Sequence, residues 1–105
     1  MMEAIVVFVS VGTEEEADRI ARFLVEKKLA ACCSLIDGVR SVYRWQGVVE
    51  QSREVVMMIK TCREVFPALE VEIKRLHSYD VPEIIALPII AGHSPYLQWL
   101  ETSMS

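Results

Sequence analysis

The pattern of apolar and polar positions begins with an unbroken apolar run at residues 5–9, which is typical of a strand covered on both faces. Thr13 and Glu16 follow in a capping-box motif, in which the hydroxyl and the carboxylate each accept an amide hydrogen bond at a helix start. An apolar stripe at helical spacing comes next, formed by Ala17, Ile20, Ala21 and Leu24. This part of the chain predicts a buried strand followed by an amphipathic helix.

The longest regular pattern lies in the middle of the chain, where residues 31–45 and 48–62 are rich in strand-forming side chains. The first segment alternates between apolar and polar residues near its end, and the second closes with an apolar run. Gln46 and Gly47 lie between them, and glycine supplies the positive φ that a tight hairpin needs. We therefore predict one long β-hairpin, which bends at Asp37-Gly38 or projects at its tip.

The remaining elements are shorter. Helical spacing of four apolar residues predicts a second helix with Pro67 in its first turn, along Val65, Leu69, Ile73 and Leu76. Residues 77–82 are predicted to form a loop, and residues 83–87 a strand that Pro88 restricts to a sheet edge. Ser94 is the predicted N-cap of a short terminal helix.

The order of these elements is β-α-β-β-α-β with one added helix. Right-handed crossovers applied to this order give an α+β fold, the ferredoxin-like βαββαβ sandwich with an antiparallel sheet, a long hairpin and a short C-terminal helix. The first and third strands are central in that fold, and the second and fourth are edges. Residues 1–105 contain no linker or internal repeat and are predicted to form a single domain.

The hairpin is longer than the body that should bury it. An arm of about 15 residues reaches about 50 Å, whereas a compact domain of this size is about 33 Å across. A projecting tip would expose apolar side chains and unpaired backbone. We therefore predict an oligomer joined through the hairpin, with Tyr43, Trp45 and Val48 at the interface.

Composition and charge narrow the possible partners. Apolar residues make up 52% of the chain, which again favours surface hidden against other subunits. The net charge of −4 and the absence of a Lys/Arg cluster argue against nucleic acid and anionic membranes. The acidic start of the chain lacks the basic region of a signal peptide, and no apolar stretch approaches the roughly 20 residues of a membrane span. A cytoplasmic protein is expected.

The densest group of candidate functional residues follows the second helix. His77, Tyr79, Asp80 and Glu83 lie in the predicted loop and at the start of the last strand. Imidazole and carboxylate ligands suit Cu(II), Zn or Ni, and His near Glu also suits acid–base chemistry. Alternatively these side chains only hydrogen-bond the loop, with His77 closing the helix.

Lys60 is a single charge among apolar strand residues, where it is costly unless paired. Its candidate partners are Glu83, Asp80 or a carboxylate of a neighbouring subunit; otherwise it is a surface lysine at the strand end.

The cysteines give a weak metal signal. Cys32 and Cys33 are adjacent, so they point to opposite faces of a strand and are expected to pack as small hydrophobes. Pairing around the predicted turn makes partner numbers sum to roughly 93, which would allow Cys62 to lie opposite Cys32.

Several spaced segments, in order along the chain, resemble the CutA, or divalent-cation tolerance, family. They are Leu-Ala-Ala-Cys at 29–32, Val-Tyr-Arg-Trp-Gln-Gly at 42–47, Ile-Lys-Thr at 59–61, Leu-His-Ser-Tyr-Asp-Val-Pro-Glu-Ile at 76–84 and Tyr-Leu-Gln-Trp-Leu at 96–100. The likeness covers essentially the whole chain.

This resemblance implies a ferredoxin-like trimer joined through the long hairpin, linked to tolerance of copper and other divalent metals and similar in shape to the PII signal proteins. It also implies copper ligands at a Cys just after the first strand and at a His pair. Ser10 and Leu76 stand at two of those positions, so only His77 carries over.

The predicted function is that of a non-enzymatic homotrimeric divalent-cation tolerance protein. It requires no cofactor and binds Cu(II) or another divalent cation weakly through His77 and Glu83, while Lys60, Tyr79 and Asp80 line a cleft between subunits. The alternative is a PII-like sensor or scaffold that binds a small anion or metabolite in that cleft. Catalysis by His77 and Glu83 ranks third, because no nucleophile–base spacing supports it.

Overall fold

The computed structural model describes residues 2–105, and in this range four strands and three helices follow one another in the predicted order. They are β1 (Ala4–Val11), α1 (Glu14–Glu26), β2 (Cys32–Trp45), β3 (Val48–Cys62), α2 (Phe66–Leu76), β4 (Ile84–Pro88) and α3 (Ser94–Ser103). A 3₁₀ turn at Arg63–Val65 joins β3 to α2. None of the helices within residues 2–105 is long and apolar enough to cross a membrane.

The strands form one antiparallel sheet in the order β2-β3-β1-β4, which confirms the predicted α+β fold. The first and third strands are central, as expected. Pro88 lies on the edge strand β4, opposite Ile5. A proline lacks the backbone N–H, and an edge strand tolerates this because no further strand pairs with its outer side.

The main core lies between one face of the sheet and the helices α1 and α2. Alternate residues of β1 and β3 point into it because side chains alternate along a strand. Its fully buried members include Val7, Val9, Met57, Ile59, Ile20, Leu24, Leu69 and Ile73. On the opposite face, α3 covers only one end, where Leu100 and Met104 pack on Ala31 and Cys62.

Two helix starts differ from their predictions. Thr13 caps α1 as expected, and its Oγ1 accepts the N–H of Glu16 at 3.1 Å, but the Glu16 carboxylate bonds a distant loop. The N-cap of α3 is His93 rather than Ser94, since Ser94 is already helical. His93 makes no side-chain capping bond.

The hairpin is as long as predicted, with arms of 14 and 15 residues. Trp45 pairs with Val48 across a turn in which Gln46 has φ 50° and Gly47 has φ 82°. Positive φ at both central residues is the geometry of a type I′ turn, which matches the twist of a hairpin. The chain measures 44 × 25 × 22 Å along its principal axes.

A β-bulge interrupts the hairpin between Ile36 and Val39. Here β2 contains one residue more than β3, and Gly38 adopts φ 71°. The bulge shifts the register, so Cys32 pairs with Lys60. Cys62 pairs instead with Ala4 of β1, and the predicted Cys32–Cys62 pairing is therefore wrong.

Candidate functional site

A cavity of about 310 Å³ opens between the hairpin and the loop that follows α2. Its lining residues are Ser10, Tyr43, Trp45, Glu54, Tyr79, Asp80, Val81 and Glu83. The structure thus brings together three residues predicted to bind a ligand or metal, Tyr79, Asp80 and Glu83, with two predicted interface aromatics. We call this space the loop–hairpin cavity.

The strand residues of the cavity share the sheet face that points away from α1 and α2. Glu54 pairs with Val39, so the alternation of β2 places Tyr43 and Trp45 on the same face as Glu54. Ser10 pairs with Val56, two positions from Glu54, and so lies on that face as well. The pairing of β1, β2 and β3 therefore places these four side chains along one wall of the cavity.

Tyr79 connects the loop to the hairpin. Its hydroxyl donates a hydrogen bond to Oε2 of Glu54 at 2.8 Å. Burial, this hydrogen bond and the nearby negative charge of Glu54 raise the pKa of Tyr79 to about 12. The phenol therefore remains a donor throughout the neutral range.

His77 lies behind the cavity and is 8% exposed. Its Nδ1 accepts the backbone N–H of Tyr79 at 3.0 Å, so the ring proton is on Nε2. Nε2 then donates to the carbonyl of Ser10 at 2.7 Å. Both ring nitrogens are occupied by the chain itself, and His77 positions the loop against β1.

Glu16 secures the same loop from α1. Its Oε2 accepts the backbone N–H of Ser78 at 2.9 Å and lies 3.6 Å from Nδ1 of His77. The capping-box pattern predicted a bond from this carboxylate to the start of its own helix. The loop amide competes for it because the fold brings Ser78 beside the first turn of α1.

The predicted metal ligands differ in their surroundings. Glu83 is exposed and lines the cavity, just before β4, whereas His77 is not part of its lining. Within residues 2–105, no three His, Cys, Asp or Glu side chains are grouped in a way that could hold a metal ion. The side chains in place therefore do not make a closed transition-metal site.

Lys60 lies apart from the cavity. Its Nζ donates to Oγ of Ser34 at 2.8 Å, on the sheet face where Lys60 pairs with Cys32 and Val6. The structure does not bring it to Asp80 or Glu83 within one chain, because it is six residues beyond Glu54 along β3.

The thiols occupy three different surroundings. Burial, with the nearby Cys32, raises the pKa of Cys33 to about 12. Burial also raises the pKa of Cys62. Cys32 is partly exposed, with its Sγ 3.7 Å from the hydroxyl of Tyr96.

Sequence reasoning missed Ser10, Glu16 and Glu54 as site residues. Strand alternation alone could have put Glu54 and Ser10 on one face. Their place on the same face as Tyr43 and Trp45 follows from pairing around Gln46-Gly47, because the bulge lies beyond the Val39–Glu54 pair.

Comparison with known proteins adds the family. Residues 5–103 match the family described as CutA1 divalent ion tolerance protein. The chain is 48% identical over 95 residues to the divalent-cation tolerance protein CutA of Thermus thermophilus, covering 90% of this chain and 92% of that protein. It is also 48% identical over 93 residues to human protein CutA, covering 89% of this chain but only 52% of the human protein.

Solved structures agree with this match. The divalent cation tolerance protein Cut A1 from Thermus thermophilus superimposes with a TM-score of 0.91 at 47% identity, covering 92% of this chain and 94% of the other. CutA1 from Oryza sativa gives a TM-score of 0.95 at 43% identity, covering 97% and 94% of the two chains. The chain therefore belongs to the CutA1 divalent ion tolerance protein family.

Proposed function

We propose that this chain forms a homotrimer through its hairpin and serves divalent-cation tolerance without catalysing a reaction. The supporting observation is the apolar surface of the hairpin tip, where Tyr43, Trp45 and Val48 are 42%, 49% and 58% exposed. Ile85 and Leu87 of β4 add further exposed apolar surface on the sheet face that α1 and α2 leave open. The relative from Thermus thermophilus is named a divalent-cation tolerance protein.

Sedimentation equilibrium of the full chain tests the assembly. We expect a particle of about three times the 11.9 kDa chain mass. A particle of single-chain mass across the concentration range would overturn the trimer.

Weak divalent-cation binding is the proposed activity of the assembly, with Glu83 and His77 as the ligands. Glu83 offers an exposed carboxylate, but His77 can coordinate copper only by giving up one of two existing hydrogen bonds. Each such bond is worth about 1 kcal/mol net, so this exchange keeps the affinity low.

Copper titration of the wild type, His77→Ala and Glu83→Gln tests the two ligands. We expect both substitutions to weaken Cu(II) binding, with Glu70→Gln on the exposed side of α2 as the control for loss of one charge. Equal affinities of wild type and His77→Ala would remove His77 from the site.

A PII-like sensor is the second candidate function, and the loop–hairpin cavity is the observation that favours it. Its volume of about 310 Å³ matches the lower range of small-molecule sites. The ligand would be a small anion or metabolite. A thermal-shift screen of nucleotides and metabolites separates this role from metal tolerance alone.

The cytoplasm is the proposed location, because the three cysteines are free thiols and free thiols suit a reducing compartment. Relatives vary in this respect: one from rice is named chloroplastic, and a structure from Archaeoglobus fulgidus is described as periplasmic. Fractionation of the source cells would decide between compartments.

A further inference from the structure

The loop–hairpin cavity has an unusual combination of walls. Three aromatic side chains line it, from Tyr43, Trp45 and Tyr79, together with three carboxylates, from Glu54, Asp80 and Glu83. No lysine or arginine is among its lining residues. Aromatic rings attract cations through their quadrupole, so both kinds of wall favour positive charge.

Glu54 is the most informative of the carboxylates. It is 8% exposed, and its Oε2 accepts only the hydroxyl of Tyr79. None of the ion pairs within residues 2–105 involves Glu54. A nearly buried carboxylate that lacks a cation is costly, and it retains the capacity for a charged partner in the cavity.

The surroundings of Tyr79 agree with a negative field in the cavity. Its raised pKa, about 12, arises from burial and from its hydrogen bond to Glu54, and the charges of Glu54 and Glu16 contribute as well. The phenol is therefore kept neutral and keeps its ring in the cavity wall while it holds Glu54 in place.

We propose that the loop–hairpin cavity binds a small organic cation, an alkylammonium group, with Glu54 as its counter-charge and Tyr43, Trp45 and Tyr79 as its apolar walls. This inference rests on the proposed sensor role. Of the small anion or metabolite named for that role, it keeps only the metabolite and specifies that the metabolite is a cation.

The same walls disfavour the other ligand classes. A small anion would meet three carboxylates and no basic side chain. A hard divalent ion needs about six oxygen ligands, and a softer one needs imidazole or thiolate nitrogen and sulfur. The residues that the structure describes contain no such grouping, whereas an alkylammonium ion needs one counter-charge and a ring-lined space.

Calorimetric titration of the full-length protein in its native assembly tests the proposal. The probes are choline and its uncharged carbon analogue 3,3-dimethylbutan-1-ol, which has the same shape. We expect choline to bind at least about tenfold more tightly than the analogue, in keeping with a desolvated cation–π and carboxylate site. Equal binding of the two probes, or no saturable binding of choline, overturns the proposal.

Three variants locate the site. Glu54→Gln should weaken choline binding about tenfold, because it removes the buried counter-charge while keeping the side-chain shape. Asp80→Asn, in an exposed loop where folding is not at risk, should weaken it less. Glu70→Gln removes one charge from the far side of the molecule and should leave the affinity unchanged.

Sedimentation of the same samples separates this proposal from the assembly. If Glu54→Gln leaves choline binding intact but breaks the trimer, then Glu54 meets a cation of a neighbouring subunit and the inference falls. If choline does not bind while the trimer and copper titration behave as expected, only the organic-cation site is lost and divalent-cation tolerance stands.

Discussion

At the scale of single residues, His77 matters through its hydrogen bonds. It joins the end of β1 to the loop that forms the cavity, with Ser10 on one nitrogen and Tyr79 on the other. The resemblance to the CutA family suggests that His77 is a copper ligand. Its two hydrogen bonds also give it a structural role.

Replacing His77 with Leu should destabilise the fold by about 1–3 kcal/mol, because a buried carbonyl and a buried amide lose their partners. The free energy of unfolding in urea, measured at one fixed chain concentration, gives this difference. His93→Leu is the matched control, since His93 is exposed and makes no capping bond, and it should change stability by less than about 0.5 kcal/mol. Equal values for the two variants would contradict the structural role of His77.

Tyr79 gives a prediction about alkaline pH. Its pKa in the folded chain is raised from 10 to about 12, so the folded state holds the phenolic proton more tightly. The resulting stabilisation is complete below about pH 10 and is lost as the pH rises through about 12. The free energy of unfolding of the wild type should therefore fall across this window, relative to that of Tyr79→Phe.

The comparison with Tyr79→Phe isolates one group, because lysines and other tyrosines titrate in both proteins alike. Parallel pH profiles for the two would show that folding does not raise the pKa of Tyr79. At neutral pH the variant should also be less stable than the wild type, since Glu54 loses its donor.

At the scale of elements, the sequence patterns predicted the features that depend on residues close together in the sequence. They missed the contacts between residues that are far apart in the sequence. The stripe of α1 and the cap at Thr13 follow from neighbouring residues, and both were found. The carboxylate of Glu16 was misassigned because its partner, Ser78, is 62 residues away. The strand order could be predicted because the rules for connecting strands and helices limit the possible topologies.

The bulge in β2 changes the strand pairing far from the turn. Pairing around Gln46-Gly47 holds from the turn as far as Val39 and Glu54, and beyond that point it shifts by one. The amino-acid composition gives no direct indication of this one-residue shift in pairing. As a result Cys32 lies opposite Lys60 rather than Thr61.

Gly38 should be sensitive to replacement by Ala, although nothing lies within 4 Å of an added Cβ. Its φ of 71° is costly for an L-residue with a side chain, so we expect a loss of about 1–2 kcal/mol. Asn tolerates this conformation better, so Gly38→Asn should lose less than half as much. Chemical denaturation of the two variants provides the measurement. A larger loss for Asn than for Ala would mean that the backbone angle is not the cause.

At the scale of the whole molecule, the chain is elongated because the hairpin extends from a small sandwich. The apolar residues of its tip remain exposed, as do Ile85 and Leu87 on the open face of the sheet. A single chain thus presents two apolar surfaces, and this arrangement suits association of identical copies.

A pair of matched substitutions tests this interpretation. Val48 is 58% exposed at the hairpin tip, and Val71 is 64% exposed on α2. Val48→Asp should shift the sedimenting particle from the proposed trimer towards single chains, since a charge would be buried at the proposed interface. Val71→Asp should leave the particle unchanged. Identical sedimentation of both variants would place the interface elsewhere.

The extra residue at the bulge has a consequence for related chains of different length. The turn fixes the parity of every position from Val39 to Trp45, so that Tyr43 and Trp45 look into the cavity, while the bulge accommodates the extra residue by placing Asp37 and Gly38 together opposite Val55. Deleting Gly38 would leave Asp37 alone opposite Val55, so the pairs Ile36–Val56 and Val39–Glu54 would both be kept. This arm can therefore lose its extra residue without changing which side chains face the cavity, and a related chain that lacks the residue is expected to present the same cavity wall.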